Sequence, residues 1–129
     1  MAAPRFVHLR VRSEYSISDS IVRIDPLIEA AAADGQGALA LTDSANLFAW
    51  IKFYRAARSG GIKPLLGVDA WITNPADRER PFRALLLVRN RTGYRNLCQL
   101  LSRAWLDNEW RGRGEIDRDW FDALTLDKQ

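Results

Sequence analysis

The chain has 129 residues, of which 47% are hydrophobic and 27% charged, with a formal net charge of +3. This length suits one ordinary domain and this apolar fraction suffices for a core, so the composition excludes a disordered chain. One cysteine excludes an internal disulfide and a cysteine-rich zinc site. No apolar run approaches the roughly twenty residues of a membrane span, and no signal peptide is evident, so we expect a soluble, cytoplasmic protein with no membrane partner.

The first predicted element is a strand over residues 6–12. Side chains alternate between the two faces of a strand, so His8, Arg10 and Arg12 share one face and the apolar odd-numbered residues share the other. Histidines on such a strand end would suggest a zinc or manganese site. Arginine has no lone pair to offer a metal, so Arg10 and Arg12 cannot be ligands.

Two helices and a buried strand follow. Asp25 is expected to cap the first helix and Gly35 to end it. The apolar run over residues 38–43 predicts a short buried strand. Asn46 is expected to open a second helix that stops at the glycine pair of residues 60–61. Four apolar residues at i, i+3, i+4 and i+7 predict its buried face: Leu47, Trp50, Ile51 and Tyr54.

The second half of the chain adds strands over residues 63–72 and 83–88, a helix from about Thr92, and a last short helix capped by Asp117. Apolar strands separated by helices indicate a sheet covered by helices. The order β-α-β-α-β-β-α-α therefore predicts the α/β class, as a barrel or a layered sheet.

A polar, glycine-rich stretch over residues 110–114 is expected to be a surface loop. Trp110 lies there among arginines. An exposed aromatic ring in such surroundings would suit contact with nucleic acid or with a partner protein.

Polar side chains cluster where the predicted strands end. Arg10 and Arg12 close the first strand, Asp43 and Ser44 close the second, and Asp69 lies in the third. In parallel α/β folds the chemistry gathers at the carboxyl ends of strands. The residues themselves leave two interpretations open, a functional site or a buried salt-bridge network that fixes the strand ends.

Four segments, residues 8–16, 40–47, 61–69 and 90–97, together with residues 116–120, resemble the start of bacterial DNA polymerase III alpha subunits. That start is the polymerase and histidinol phosphatase (PHP) domain. The resemblance implies a distorted seven-stranded β/α barrel, of which residues 1–129 would form the N-terminal half. It also implies a fragment of a much longer chain, which would hold the polymerase active site, its Mg²⁺ and the DNA.

The same resemblance implies a lost metal centre. Metal-binding members of the family have histidines or an acidic residue at five positions, which are occupied here by Arg10, Arg12, Ser44, Asp69 and Arg83. Only the aspartate could bind a metal, and Asp19 and Asp43 are the remaining carboxylates of the motifs. Because catalytic zinc usually needs about three protein ligands, we expect no metal, no cofactor and no hydrolytic activity in this fragment.

We expect the arginines to replace the ions electrostatically, by pairing with the carboxylates that the ions would have neutralised. The candidate partners of Arg10, Arg12 and Arg83 are Asp69, Asp19 or Asp43.

The resemblance implies a catalytically inactive scaffold within a DNA-directed DNA polymerase. It would also be a docking surface for the proofreading exonuclease subunit and other replisome subunits. Two alternatives stay open. One is an error-prone alpha-subunit paralogue that acts in damage-tolerant synthesis. The other is a metal-dependent phosphoesterase or built-in proofreader, which would need histidines that these positions lack.

Overall fold

A computed structural model of the chain describes residues 6–124. The helices are α1 (Ile24–Ala33), α2 (Trp50–Ser59) and α3 (Arg91–Asp107). The strands are β1 (Ala38–Ser44), β2 (Lys63–Ile72), β3 (Phe82–Leu87), β4 (Glu109–Trp110) and β5 (Arg113–Ile116). Two 3₁₀ segments cover Glu14–Asp19 and Arg118–Ala123. Within residues 6–124 no helix combines the length and apolar character that crossing a bilayer requires.

The sheet is mixed and centres on β2. β1 runs parallel to β2, with Ala38 opposite Lys63 and Ser44 opposite Asp69. β3 pairs antiparallel with β2, and β5 pairs parallel with the last two residues of β2. β4 and β5 form an antiparallel hairpin. The strands expected over residues 38–43, 63–72 and 83–88 are confirmed as β1, β2 and β3, each within one residue at either end.

The helices cover one face of this sheet. Leu39 and Leu41 of β1 pack against α1 and α2, whereas Val68 and Ala70 of β2 lie in a second apolar cluster with α3. Strand residues two apart share a face, so Asp69 points to the opposite side from Val68 and Ala70. The face without helices therefore holds the polar residues of β2.

The N-terminal segment over residues 6–12 is extended, but the prediction of a regular strand is wrong. The amide N–H groups of Ala40 and Thr42 donate to the carbonyl oxygens of His8 (3.0 Å) and Val11 (2.7 Å). Residues two apart on β1 thus face residues three apart on the segment, which leaves one extra residue, as in a β-bulge. As a consequence Leu9, expected to pack inward, is 46% exposed.

The buried face of α2 also differs from the prediction. Ile51 is 59% and Tyr54 42% exposed, whereas Ala49, Phe53 and Ala57 are fully buried. These three residues are spaced by four, so they lie on a different stripe of the helix from the predicted set. Small alanine side chains allow α2 to lie close to the sheet. A prediction of the buried face that relies on large apolar side chains overlooks them.

Helix starts were predicted less well than helix ends. Asp25 does not cap α1, because the helix begins at Ile24 and Arg23 occupies the capping position without a side-chain bond. Asn46 does not open α2 either. Its side-chain oxygen accepts from the amide of Phe48 (3.2 Å) in a turn that precedes the helix. Asp117 does cap the last 3₁₀ segment, by accepting from the amide of Asp119 (2.9 Å).

The expected surface loop around Trp110 is instead the β4–β5 hairpin. Arg111 and Gly112 form its two-residue turn with φ values of 51° and 80°, the left-handed region that glycine adopts readily. The guanidinium groups of Arg78 and Arg113 each lie 5.3 Å from the Trp110 ring, and that of Arg111 lies 4.6 Å away. Trp110 is thus enclosed by cations of its own chain.

Glu115 of β5 brings two of these cations, Arg78 and Arg113, together. Its side chain is fully buried and pairs with Arg113 (3.2 Å) and Arg78 (3.4 Å). Thr73, after β2, donates its hydroxyl to the same carboxylate (3.2 Å). A buried carboxylate is tolerated only when it is paired and hydrogen-bonded, so these contacts hold the hairpin against β2.

A pH-dependent contact lies on α3. A side-chain hydrogen bond with Cys98, one turn further on, raises the pKa of Tyr94 above its usual 10.0, and the proximity of the thiolate charge and burial add to the effect. Because the neutral phenol is favoured in the folded chain, this contact contributes stability below about pH 10 and loses it as the pH rises further. In a titration of absorbance at 295 nm, Cys98→Ala should lower the midpoint of one tyrosine. An unchanged titration curve would contradict the assignment.

Candidate functional site

The centre of the candidate site is Asp69, on β2 and on the face of the sheet without helices. Its side chain is only 2% exposed. Ser44 lies directly opposite on β1. Trp71, two residues further along β2, shares the face and stands opposite Arg83 of β3. The register between β2 and β3 therefore brings Arg83 close to the carboxylate of Asp69.

Three guanidinium groups converge on a single oxygen, Oδ2 of Asp69. Arg10 donates through Nε (2.9 Å) and Nη2 (2.7 Å). Arg12 donates through Nε (3.2 Å) and Nη2 (2.7 Å). Arg83 adds a fifth contact through Nη2 (3.0 Å). We call these four residues the arginine cluster.

The bulge in residues 6–12 explains why both N-terminal arginines reach the same oxygen. The irregular segment follows the edge of β1, and two of its side chains extend across to β2. Arg83 comes from the other side, and its guanidinium lies 4.5 Å from the centre of the Trp71 ring. Stacking on an aromatic face holds the guanidinium plane and adds a cation–π attraction.

The arginine cluster has an excess of positive charge. Three permanent cations surround one carboxylate, and Asp19 adds a longer contact to Arg12 (3.5 Å). Arg12 is 19% exposed, whereas Arg10, Arg83 and Asp19 are 39 to 55% exposed. Water screens the outer charges, so the contact between Arg12 and Asp69 is the strongest of the set and that with Asp19 is weak.

Asp43, the third candidate partner, has a different role. It is 2% exposed, and among the described residues its partners are serines and no arginine. Ser13 donates its amide (2.6 Å) and its hydroxyl (2.8 Å), and Ser16 donates its hydroxyl (2.8 Å). Of the three carboxylates expected as alternative partners of the arginines, Asp69 and Asp19 contact them, whereas Asp43 anchors the 3₁₀ segment that follows the arginines.

Ser44 lines a cleft next to the arginine cluster. Its amide donates to Ser16 Oγ (3.0 Å) and its carbonyl accepts from Asn46 Nδ2 (3.0 Å). The cleft measures about 410 Å³, and Asp19, Trp71 and Arg113 also line it. Sequence reasoning missed Ser13, Ser16 and Trp71. The serine-rich run directly after the arginines was the available signal, because serine hydroxyls often bind nearby carboxylates and amides.

The donor set does not fit a metal centre. Among residues 6–124 no group of three or more histidine, cysteine, aspartate or glutamate side chains could hold an ion. Oδ2 of Asp69 is surrounded by guanidinium groups, which would repel a cation. The arrangement can neutralise a buried carboxylate and fix three chain segments together, and its guanidinium groups offer no lone pairs to a metal ion.

Residues 8–127 match the PHP domain. The chain belongs to the PHP family. It is 46% identical over 116 residues to the DNA polymerase III subunit alpha of Pseudomonas fluorescens, covering 89% of this chain and 10% of that protein. The same subunit of Escherichia coli K12 is 42% identical over 125 residues, which are 97% of this chain and 11% of that protein. This PHP chain thus spans about a tenth of the length of these curated relatives, and the resemblance expected from the sequence is confirmed.

Solved structures show the same fold. An amidohydrolase from Chromobacterium violaceum with bound sulfate and no metal matches with a TM-score of 0.59 and 23% identity. A metal-dependent phosphoesterase from Bifidobacterium adolescentis matches with a TM-score of 0.54 and 17% identity. Each match covers 76% of this chain and 32% of the other. At such identities the likeness concerns the fold alone, and together with the family match it confirms the predicted α/β class as part of a PHP barrel.

Proposed function

We propose that this chain is the N-terminal PHP module of a cytoplasmic replicative polymerase of the DNA polymerase III alpha type. In this proposal the module is a structural scaffold without hydrolytic activity, and the arginine cluster stands in place of the family's metal ions. The polymerase active site and its Mg²⁺ would belong to the rest of a longer chain. The observation on which the proposal rests is the convergence of Arg10, Arg12 and Arg83 on one oxygen of Asp69.

Physical chemistry supports the loss of catalysis. Metal-assisted hydrolysis needs an ion that binds water, lowers its pKa and leaves a coordination position for the substrate. A guanidinium is permanently protonated and has no lone pair, so it can neither bind a metal nor act as a general base at ordinary pH. What it keeps is the positive charge that the buried carboxylate needs.

Metal content tests this part of the proposal. After purification without chelator, elemental analysis should find well under one equivalent of zinc or manganese per chain, and no phosphoesterase or nuclease activity should accompany it. The quadruple variant R10H/R12H/S44H/R83H should bind zinc measurably, because imidazole restores lone pairs around Asp69. R23H/R55H/R95H/R118H, with four histidines at exposed sites elsewhere, should bind less. Stoichiometric metal together with hydrolysis in the unaltered chain would overturn the proposal and favour the phosphoesterase alternative.

We also propose that this module receives the proofreading exonuclease subunit. A rigid module without chemistry of its own suits a docking role, and the module belongs to a family shared with polymerase alpha subunits. Hydrogen exchange on the longer polymerase chain, with and without the exonuclease subunit, tests the assignment. Slower exchange in peptides within residues 6–124 is the expected result. A complex that forms while those peptides exchange unchanged would place the docking site elsewhere.

A further inference from the structure

A second groove lies apart from the arginine cluster, at the end of the sheet where β2 begins. It measures about 370 Å³ and is bounded by the start of α2, the first residues of β2 and the segment from the end of β3 into α3. Its apolar lining includes Leu65 and Leu66 of β2. None of the arginine-cluster residues lines it.

The rim of this groove is positively charged. Lys63, Arg89 and Arg91 all line it, and all three are exposed. No aspartate or glutamate is among the lining residues, and within the described part of the chain none of the three cations forms an ion pair. The first turn of α3, which opens onto the groove, holds no acidic residue, and the positive end of a helix dipole favours anions.

Two aromatic rings face the same groove. Tyr94 on α3 is 37% exposed. Trp50 at the start of α2 is partly buried, and the centre of its ring lies 5.7 Å from that of the Tyr54 ring. The Trp50 ring is thus held in position before any ligand arrives, which lowers the entropy cost of binding.

We propose that this groove binds single-stranded nucleic acid. Lys63, Arg89 and Arg91 contact the backbone phosphates, and the exposed surfaces of Tyr94 and Trp50 stack on bases. A positively charged groove with aromatic platforms is the arrangement that binds single strands without sequence preference. An acidic peptide would satisfy the cations but would leave the ring faces unused, so the combination favours nucleic acid. The site does not depend on the proposed function of the arginine cluster.

The test uses fluorescence anisotropy to measure how tightly the 129-residue chain binds a labelled oligo-dT of 20 nucleotides. Circular dichroism of every variant checks that it folds. The variant K63E/R89E/R91E should bind at least about tenfold more weakly. The slope of log affinity against log salt concentration should also become less negative by about 2, because each lost phosphate contact on a single strand removes roughly 0.7 from that slope. Arg91→Glu places an acid at a helix N-terminus, which favours the helix, so the variant should retain α3.

A matched control is K52E/R55E/R58E on the exposed side of α2. It changes the net charge equally, from +3 to −3, but none of its residues lines the groove. This control should lose much less affinity than the groove variant. Equal losses in the two variants, or no loss in either, would overturn the proposal, because binding would then reflect overall charge or another surface.

Aromatic substitutions separate nucleic acid from other anions. Tyr94→Leu should weaken oligo-dT binding several-fold, whereas Phe48→Leu, at a 78% exposed ring outside the groove, should leave it unchanged. Inorganic phosphate and poly-glutamate serve as competitors. If Tyr94→Leu has no effect and either competitor displaces oligo-dT at equal phosphate or carboxylate concentration, the groove is a simple anion site and the proposal is wrong.

Discussion

Replacing Asp69 by asparagine should lower the free energy of unfolding by about 2 to 4 kcal/mol. The substitution keeps the size of the side chain but removes the negative charge that contacts all three guanidinium groups. Removing one partner of a buried ion pair usually costs about 3 to 5 kcal/mol. The estimate is reduced because Arg10 and Arg83 are 55% and 39% exposed and can be hydrated once unpaired. Urea denaturation followed by circular dichroism measures the change.

Asp19→Asn is the matched control for this experiment. It makes the same chemical change at a carboxylate that is 44% exposed and 3.5 Å from Arg12. Pairs of this kind contribute about 0 to 1 kcal/mol, so the variant should unfold at nearly the urea concentration of the parent. Similar losses in both variants, or a neutral Asp69→Asn, would show that the arginine cluster does not hold the N-terminal segment to the sheet.

Replacing Asp43 by alanine is expected to cost about 3 kcal/mol of stability through a different mechanism. The carboxylate accepts from the Ser13 amide and from the hydroxyls of Ser13 and Ser16. Ser13 is fully buried and Ser16 is 8% exposed, so the substitution leaves hydrogen-bond donors without an acceptor at a position that solvent does not reach. Each such orphan costs about 1 to 3 kcal/mol, although hydroxyls can turn to other partners.

Hydrogen exchange at the Ser13 amide distinguishes this mechanism from a general loss of stability. In Asp43→Ala that amide should exchange much faster, while amides in the middle of β2 should change only as much as global unfolding requires. Ser16→Ala is the milder comparison, since Ser16 contributes one bond to Asp43 and accepts one from the Ser44 amide (3.0 Å). If the Ser13 amide kept its protection in Asp43→Ala, the proposed anchor would be wrong.

The two parallel strands were predictable because their signals are local. β1 and β2 are apolar runs bounded by glycine or polar residues, and the parity of residues along β2 puts Asp69 on the face away from Val68. The hairpin of β4 and β5 was missed because its strands have only two and four residues. Its stability comes from the distant Arg78 and Thr73 on Glu115, which no local pattern records.

The arginine cluster was predictable in membership but not in pairing. The positions of Arg10, Arg12 and Asp69 follow from the predicted strands, that of Arg83 follows from the family resemblance, and the structure brings all four together. Which carboxylate Arg10 and Arg12 meet depends on the extra residue in the segment over residues 6–12. That bulge decides which side chains cross to β2, and it arises from hydrogen bonds to β1 that single-strand alternation does not contain.

The convergence of five N–H groups on one oxygen has a consequence for the cell. A metal ion binds reversibly from solution, and a chelator or a competing protein can remove it. A guanidinium group is covalently part of the chain, is protonated at every physiological pH and cannot be exchanged. The positive charge that neutralises Asp69 is therefore a permanent part of the polypeptide, made when the chain is synthesised.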